Sequence, residues 1–182
     1  IDTKAEKVIE VFSSALFPNS PAGSTPNAVA LSDDETLLYI ANADNNCLAV
    51  FNVEEPGNSK SVGFIPTGWY PTSVKVFNKK IWVTNGKGGL SLANPKGPNP
   101  YLPRTDSTQY IAGLFKGSLS IIPQPSNDVL SLYSTAAYKN SPYNKEIEKL
   151  ADGEEGNPVP RKSGDPTPIK YVFYIIKENR TY

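Results

Sequence analysis

Leu38-Tyr39-Ile40-Ala41-Asn42 recurs as Ile81-Trp82-Val83-Thr84-Asn85, and each copy is introduced by a Pro-x-x-Val strand, Pro26-Asn27-Ala28-Val29 and Pro71-Thr72-Ser73-Val74. Between opening and core stands a turn, Ser32-Asp33-Asp34-Glu35 in the first copy and the shorter Phe77-Asn78-Lys79-Lys80 in the second. Cys47-Leu48-Ala49-Val50-Phe51-Asn52-Val53 and Ser61-Val62-Gly63-Phe64-Ile65 supply two further strands to the first copy. Strands of this length, rich in β-branched and aromatic residues and punctuated by Asn, Asp, Gly and Pro, form antiparallel sheets. The spacing of the two copies matches a repeat of about 40–45 residues holding four short strands, the size of one β-propeller blade. The core expected from this reading comprises Val29, Leu31, Leu38, Ile40, Leu48, Val50, Val74, Val76, Trp82, Ile121 and Ile122.

The two Asn-terminated cores resemble the Tyr-Val-Thr-Asn motif of YVTN-type propeller repeats. The resemblance implies a mostly β chain built from partial propeller blades. Asn42 and Asn85, at the strand ends, are read as structural, bonding nearby backbone rather than a ligand. Asp33, Asp34 and Glu35 sit in a hairpin turn without enough ligands for calcium.

The second copy is interrupted over residues 86–116, where Gly86-Lys87-Gly88-Gly89 and Pro95-Lys96-Gly97-Pro98-Asn99-Pro100 give loop composition. Such a loop exceeds ordinary connection lengths, so it is functional or a packing element. Tyr101, Arg104, Tyr110 and Phe115 suit either a binding surface or contact with a sheet or neighbouring domain. Gly86-Lys87-Gly88-Gly89 lacks a phosphate-loop context and reads as a turn. Strand character resumes at Gly117-Ser118-Leu119-Ser120-Ile121-Ile122-Pro123. After Pro125 the period becomes helical: Ser126-Asn127-Asp128 supplies a cap and acidic first turn, Val129, Leu130, Leu132, Tyr133, Ala136 and Ala137 the apolar face, and Ser141-Pro142 the stop. A further helical turn is expected over 144–152. Residues 153–168 are a Pro/Gly-rich linker. The domain reading is therefore 1–124 propeller portion, 125–168 helix and linker, and 169–182 the first strand of a second, α/β domain.

That strand, Ile169-Lys170-Tyr171-Val172-Phe173-Tyr174-Ile175-Ile176, is an unbroken apolar run of the kind buried on both faces of a parallel sheet. It leads into Lys177-Glu178-Asn179-Arg180-Thr181-Tyr182. From Val172 to Tyr182 the text resembles the opening of phosphoesterases in the alkaline phosphatase superfamily, where a hydrophobic strand runs into Glu-Asn-Arg-(Ser/Thr)-(Phe/Tyr)-Asp. The closing Asp is not present here. The resemblance implies that Glu178 and Asn179 help hold a divalent metal in a full-length parent that hydrolyses phosphate esters. For the chain as it stands it implies no bound metal and no catalytic residue. The nearest partner is then the downstream phosphoesterase domain of the same parent.

Composition sets limits on the alternatives. Eighteen basic and 18 acidic residues cancel, so no global field attracts nucleic acid. Histidine, the commonest general base and metal ligand, is absent, which disfavours a propeller enzyme with its site in the central channel. The lone Cys47, in an apolar strand, reads as a buried inert thiol. No stretch has the roughly 20 apolar residues a membrane span needs. There is no methionine and no signal peptide, and the expectation is an excised portion of an exported bacterial protein, secreted, periplasmic or at the cell surface. Strands 8–12 and the blade edges should then lack native partners and invite self-association. The competing function is a propeller module that binds glycans or protein partners.

Overall fold

The computed structural model describes residues 1–18, 20, 22–90, 92–99, 101–142, 156–160 and 164–176. Among the described residues the chain is mostly β, with two antiparallel sheets and one α-helix. The first sheet is a meander of β1 (Pro26–Leu31), β2 (Leu37–Asn42), β3 (Cys47–Asn52) and β4 (Lys60–Pro66). The second runs β5 (Trp69–Phe77), β6 (Lys80–Gly88) and β7 (Ser118–Pro123). Helix α1 (Asn127–Asn140) follows and packs on β4.

The repeat is visible in the strand register. Pro26 faces Asn42 and Pro71 faces Asn85; Val29 faces Ile40 and Val74 faces Val83; Leu31 faces Leu38 and Val76 faces Ile81. Beyond the cores, Asn42 faces Cys47 as Asn85 faces Ser118, so β7 occupies the place of β3. The insertion separates two strands without altering their pairing. Its boundary shifts slightly from expectation, because β6 continues through Gly86-Lys87-Gly88. Within the insertion, Tyr101, Tyr110 and Phe115 are exposed rather than packed on a sheet.

The turn before β2 is held by its own side chains. Asp34 Oδ1 accepts from the Ser32 hydroxyl at 2.6 Å and the Thr36 N–H at 3.2 Å, and these donors, the Ser32 hydroxyl foremost, hold its carboxyl below the ordinary carboxylate range. Asp33 Oδ2 accepts from the Lys79 N–H at 2.8 Å, which ties this turn to the matching turn of the second sheet.

One core lies between the sheets. Tyr39, Ala41, Leu48, Val50 and Ile65 of the first meet Val74, Ile81 and Val83 of the second, with Leu130 of α1 at its margin. The other face of the first sheet buries Ile40, Cys47, Ala49, Phe51 and Phe64 beneath Leu16 and Ala137. Strands β2 and β3 are therefore covered on both sides. This is why their text is nearly continuous in apolar residues instead of alternating.

Several expected core residues point the other way. In β1, Ala28 and Ala30 face the inter-sheet core while Val29 and Leu31 are exposed. Alternation allows only one set inside, and β5 packs against β1, where the small side chains permit close approach. Ile121 is exposed because no described layer covers the outer face of the second sheet. The remaining expected residues are buried or partly buried, and Tyr39, fully buried, joins them.

The N-terminal segment corrects the reading of 8–12 as a strand. Among the described residues it pairs with no strand, and Val8, Ile9 and Val11 are exposed. Instead it is strapped on by side chains: Glu10 accepts from the Ser59 N–H and hydroxyl, both at 2.7 Å, and Phe12 packs on Phe51 with ring centroids 4.4 Å apart. Helix α1 starts and stops as its text dictates, with Ser126 as the cap, Asp128 in the first turn and Lys139 in the last. Gly63 lets it approach β4: a Cβ there would sit 2.5 Å from Ser134 Oγ and 3.0 Å from Leu130 Cγ. The helical turn expected over 144–152 lies outside the described residues.

The run 169–176, read as a strand without its native sheet, stands unpaired among the described residues. Residues 171–176 pair with no strand among the described residues, and each is at least 75% exposed. A strand is held by neighbours, and the described residues supply none.

Candidate functional site

A polar concave site forms where three elements converge. β4 ends at Pro66 and β5 begins at Trp69, leaving only Thr67 and Gly68 to connect the two sheets. Beside this connection lies the 3-10 turn Ala43–Asn45, closed by Asn46 in the left-handed conformation at φ 53°. Asn tolerates that conformation better than most residues. Its side chain is committed: Asn46 Oδ1 accepts from the Tyr70 N–H at 2.8 Å, and its carbonyl accepts from the Thr67 N–H at 2.9 Å. Tyr70 itself is held at φ 60°, within a break in register between Trp69 and Pro71. For a bulky residue this is an uncommon backbone, and such a bulge re-aims the adjacent side chain.

The result is a cavity of about 330 Å³ lined by Asn45, Asn46, Pro66, Thr67, Trp69, Ala137 and Asn140. Asn140, the last residue of α1, reaches it because the helix is docked on β4. Trp69 stays 41% exposed while lining it. The Asn45 Oδ1 is buried with no hydrogen-bond partner among the described residues, which leaves a desolvated acceptor of about 1–3 kcal/mol penalty. No lining side chain is ionisable. A second cavity of about 450 Å³ lies between the N-terminal strap and the helix, with Leu16, Phe17, Phe64 and Tyr138 among its walls. Its aromatic rings pack on one another, Phe64 and Tyr138 at 5.7 Å and Phe17 and Tyr138 at 5.4 Å.

Asn42 and Asn85 are buried and structural, but their partners are less local than expected. Asn42 Nδ2 donates to the Ser14 carbonyl at 2.6 Å and its Oδ1 accepts from the Ser14 hydroxyl at 2.9 Å. It therefore pins the N-terminal strap. Asn85 Nδ2 donates to Ser120 Oγ at 2.9 Å and Ser118 Oγ at 3.2 Å on β7. Asn85 Nδ2 also lies 3.5 Å from the carbonyl of nearby Val83, while its Oδ1 is buried with no partner among the described residues.

Cys47 is buried, and burial pushes its thiol up to about 12. Burial also lifts the Tyr39 phenol to about 12, with the charges of Asp34 and Asp33 adding to it. The ordinary values are 9.0 and 10.0. Both groups keep their protons longer folded than unfolded, so the folded state binds more protons between about pH 9 and 12 and stability falls as pH rises through that window. Tyr39→Phe is expected to flatten the part above pH 10. It also removes a buried hydroxyl without a partner, so neutral-pH stability should be unchanged or slightly higher. Urea titrations from pH 8 to 11.5 on both proteins test this, and an equally steep decline in the variant would rule out Tyr39 as its source.

Glu178 and Asn179 lie outside the described residues. Any fit of a metal to them rests on their hard oxygen donors alone. Among the described residues, no group of three or more His, Cys, Asp or Glu side chains could hold a metal ion, and no helix is long and apolar enough to cross a membrane. The Trp69 cavity was not foreseen, since its residues come from separate stretches of sequence. The usable signal was Asn45-Asn46 after one core strand, together with Gly68-Trp69 opening the next.

No protein-family model matches the chain, and no curated protein matches it. Among solved structures it is similar to Kuenenia stuttgartiensis hydrazine synthase, at 24% identity and a TM-score of 0.30. That match covers 34% of this chain and 17% of the other.

Proposed function

We propose that residues 169–182 form the first strand of a metal-dependent phosphoesterase domain, and that the two sheets before it are non-catalytic YVTN-type propeller blades fused to that domain. The observation that carries this reading is the exposed run 171–176, followed directly by Lys177-Glu178-Asn179-Arg180-Thr181-Tyr182. Six consecutive apolar or aromatic side chains in water favour a covering layer at about 25 cal/mol per Å² of apolar surface. A parallel sheet receives such a strand and places its carboxyl end at the ligand-binding edge. The Glu178 carboxylate and the Asn179 amide oxygen are suitable ligands for a hard divalent cation, which when bound stabilises charge on a phosphoryl group. The matched registers of the two sheets and the uncovered Leu119 and Ile121 on the outer face of the second support further blades beside them. The reading carries with it an exported bacterial location.

The test is hydrolysis of aryl phosphate mono- and diesters by the natural protein in which this segment continues into the proposed domain. Activity should vanish on chelation and return with a divalent metal, while the 182-residue chain alone stays inactive. Glu178→Gln should lower kcat/KM by at least about 100-fold. Hydrolysis that survives chelation, or one indifferent to Glu178→Gln, would refute the assignment.

A further inference from the structure

We infer that the cavity at Trp69 is a binding site for one neutral pyranose ring. The inference is independent of the phosphoesterase reading, because none of its residues belongs to 169–182. Three features carry it. The first is a partly exposed tryptophan on the wall; an indole face carries negative quadrupole density and suits the C–H face of a sugar ring. The second is the polar set, in which Asn45, Asn46, Thr67 and Asn140 are all neutral and most can both donate and accept. Amides and hydroxyls of this kind match the paired donors and acceptors of neighbouring sugar hydroxyls, and the lack of an ionisable group selects against uronic or sialic acids. The third is size: about 330 Å³ is near the lower end of the range of small-molecule sites, roughly 300–1,000 Å³, enough for one ring and not for a chain.

The site is also preorganised. Asn46 Oδ1 holds the Tyr70 N–H, which fixes the bulge beside Trp69 and leaves the Asn46 Nδ2 as the donor for a ligand. Asn45 Oδ1, buried without a partner among the described residues, gains one if its amide turns toward a ligand hydroxyl. Asn140 is exposed at the end of α1 and can contact a ligand without giving up a bond to any other described residue.

The experiment is titration of the 182-residue chain with methyl pyranosides of glucose, galactose, mannose and N-acetylglucosamine, followed by NMR. A saturable shift of the Trp69 indole resonance, with a Kd in the millimolar range, is the expected result, and the Trp82 indole on the second sheet should stay still as the internal reference. Binding read from the Asn46 and Thr67 resonances should weaken at least about tenfold in Trp69→Ala, weaken several-fold in Asn140→Ala, and be largely kept in Trp69→Phe, which retains a ring and serves as the control for folding. No saturable shift with any of the four sugars overturns the inference, as does binding that Trp69→Ala leaves intact. Tighter binding of glucuronate than of glucose would also overturn it.

Discussion

Leu48→Ala is expected to destabilise the chain by about 2–5 kcal/mol. Leu48, on β3, is fully buried, faces Ala41 of β2 and Ile65 of β4, and contributes to the core between the two sheets. Truncation removes its transfer free energy and leaves a void that two sheets joined by a two-residue connection cannot close by sliding together. For a chain of this size the midpoint of thermal unfolding should drop by roughly 4–20 °C. Val29→Ala is the matched comparison. Val29 lies on β1 with its side chain 61% exposed, and its truncation should change stability by no more than about 0.5 kcal/mol. Calorimetry of both variants decides the matter. Equal losses would mean that β1 turns its other face inward.

Gly88→Ala is expected to damage the second sheet selectively. Gly88 sits at φ +63°, where a side chain is strained by about 1–3 kcal/mol. A Cβ there would also collide with the backbone carbonyl of Lys116, and backbone cannot swing aside as a flexible side chain can. The crowding adds about 1–3 kcal/mol. Because Gly88 and Lys116 bracket the insertion where it leaves β6 and returns to β7, hydrogen-exchange protection should fall at Ile81, Val83 and Ser120 and hold in β2 and β3. Gly89→Ala is the control, since a Cβ at that neighbour meets nothing within 4 Å. A similar effect from both substitutions would show that the insertion has no fixed origin on the sheet.

The repeat was legible because strand text and turn text are local. Pro26 opens β1 and Asn42 closes β2, Pro71 and Asn85 fall inside β5 and β6, and the register pairs Pro with Asn in both copies. Helix α1 was legible for the same reason, from Ser126 to Ser141. Which face of β1 turns inward was not, because Ala28 and Ala30 are chosen by the approach of β5 and not by their own hydrophobicity. Asn42 looked like a local cap, yet its partner is Ser14, in the strap just beyond the 8–12 run that reads as a strand. The Trp69 cavity depends on the docking of α1, which brings Asn140 to Asn45 and Asn46, and no local pattern encodes that meeting. At 169–176 the text reads as a strand, while the described residues offer no sheet to receive it.

Ser134 gives the molecule a direction of growth. Its hydroxyl takes the Phe64 N–H at 2.9 Å, so the helix occupies the outer border of β4, where an incoming peptide would otherwise zip on. Among the described residues no helix shields β7 in the same way, and Leu119 and Ile121 stand open on its face. Of these two edge strands, extension by added strands is thus blocked at β4 and open at β7. An assembly made of such units would be polar, with a capped pole and a growing pole. Substituting Ser134 removes one lock on the capped pole and leaves the growing one as it was.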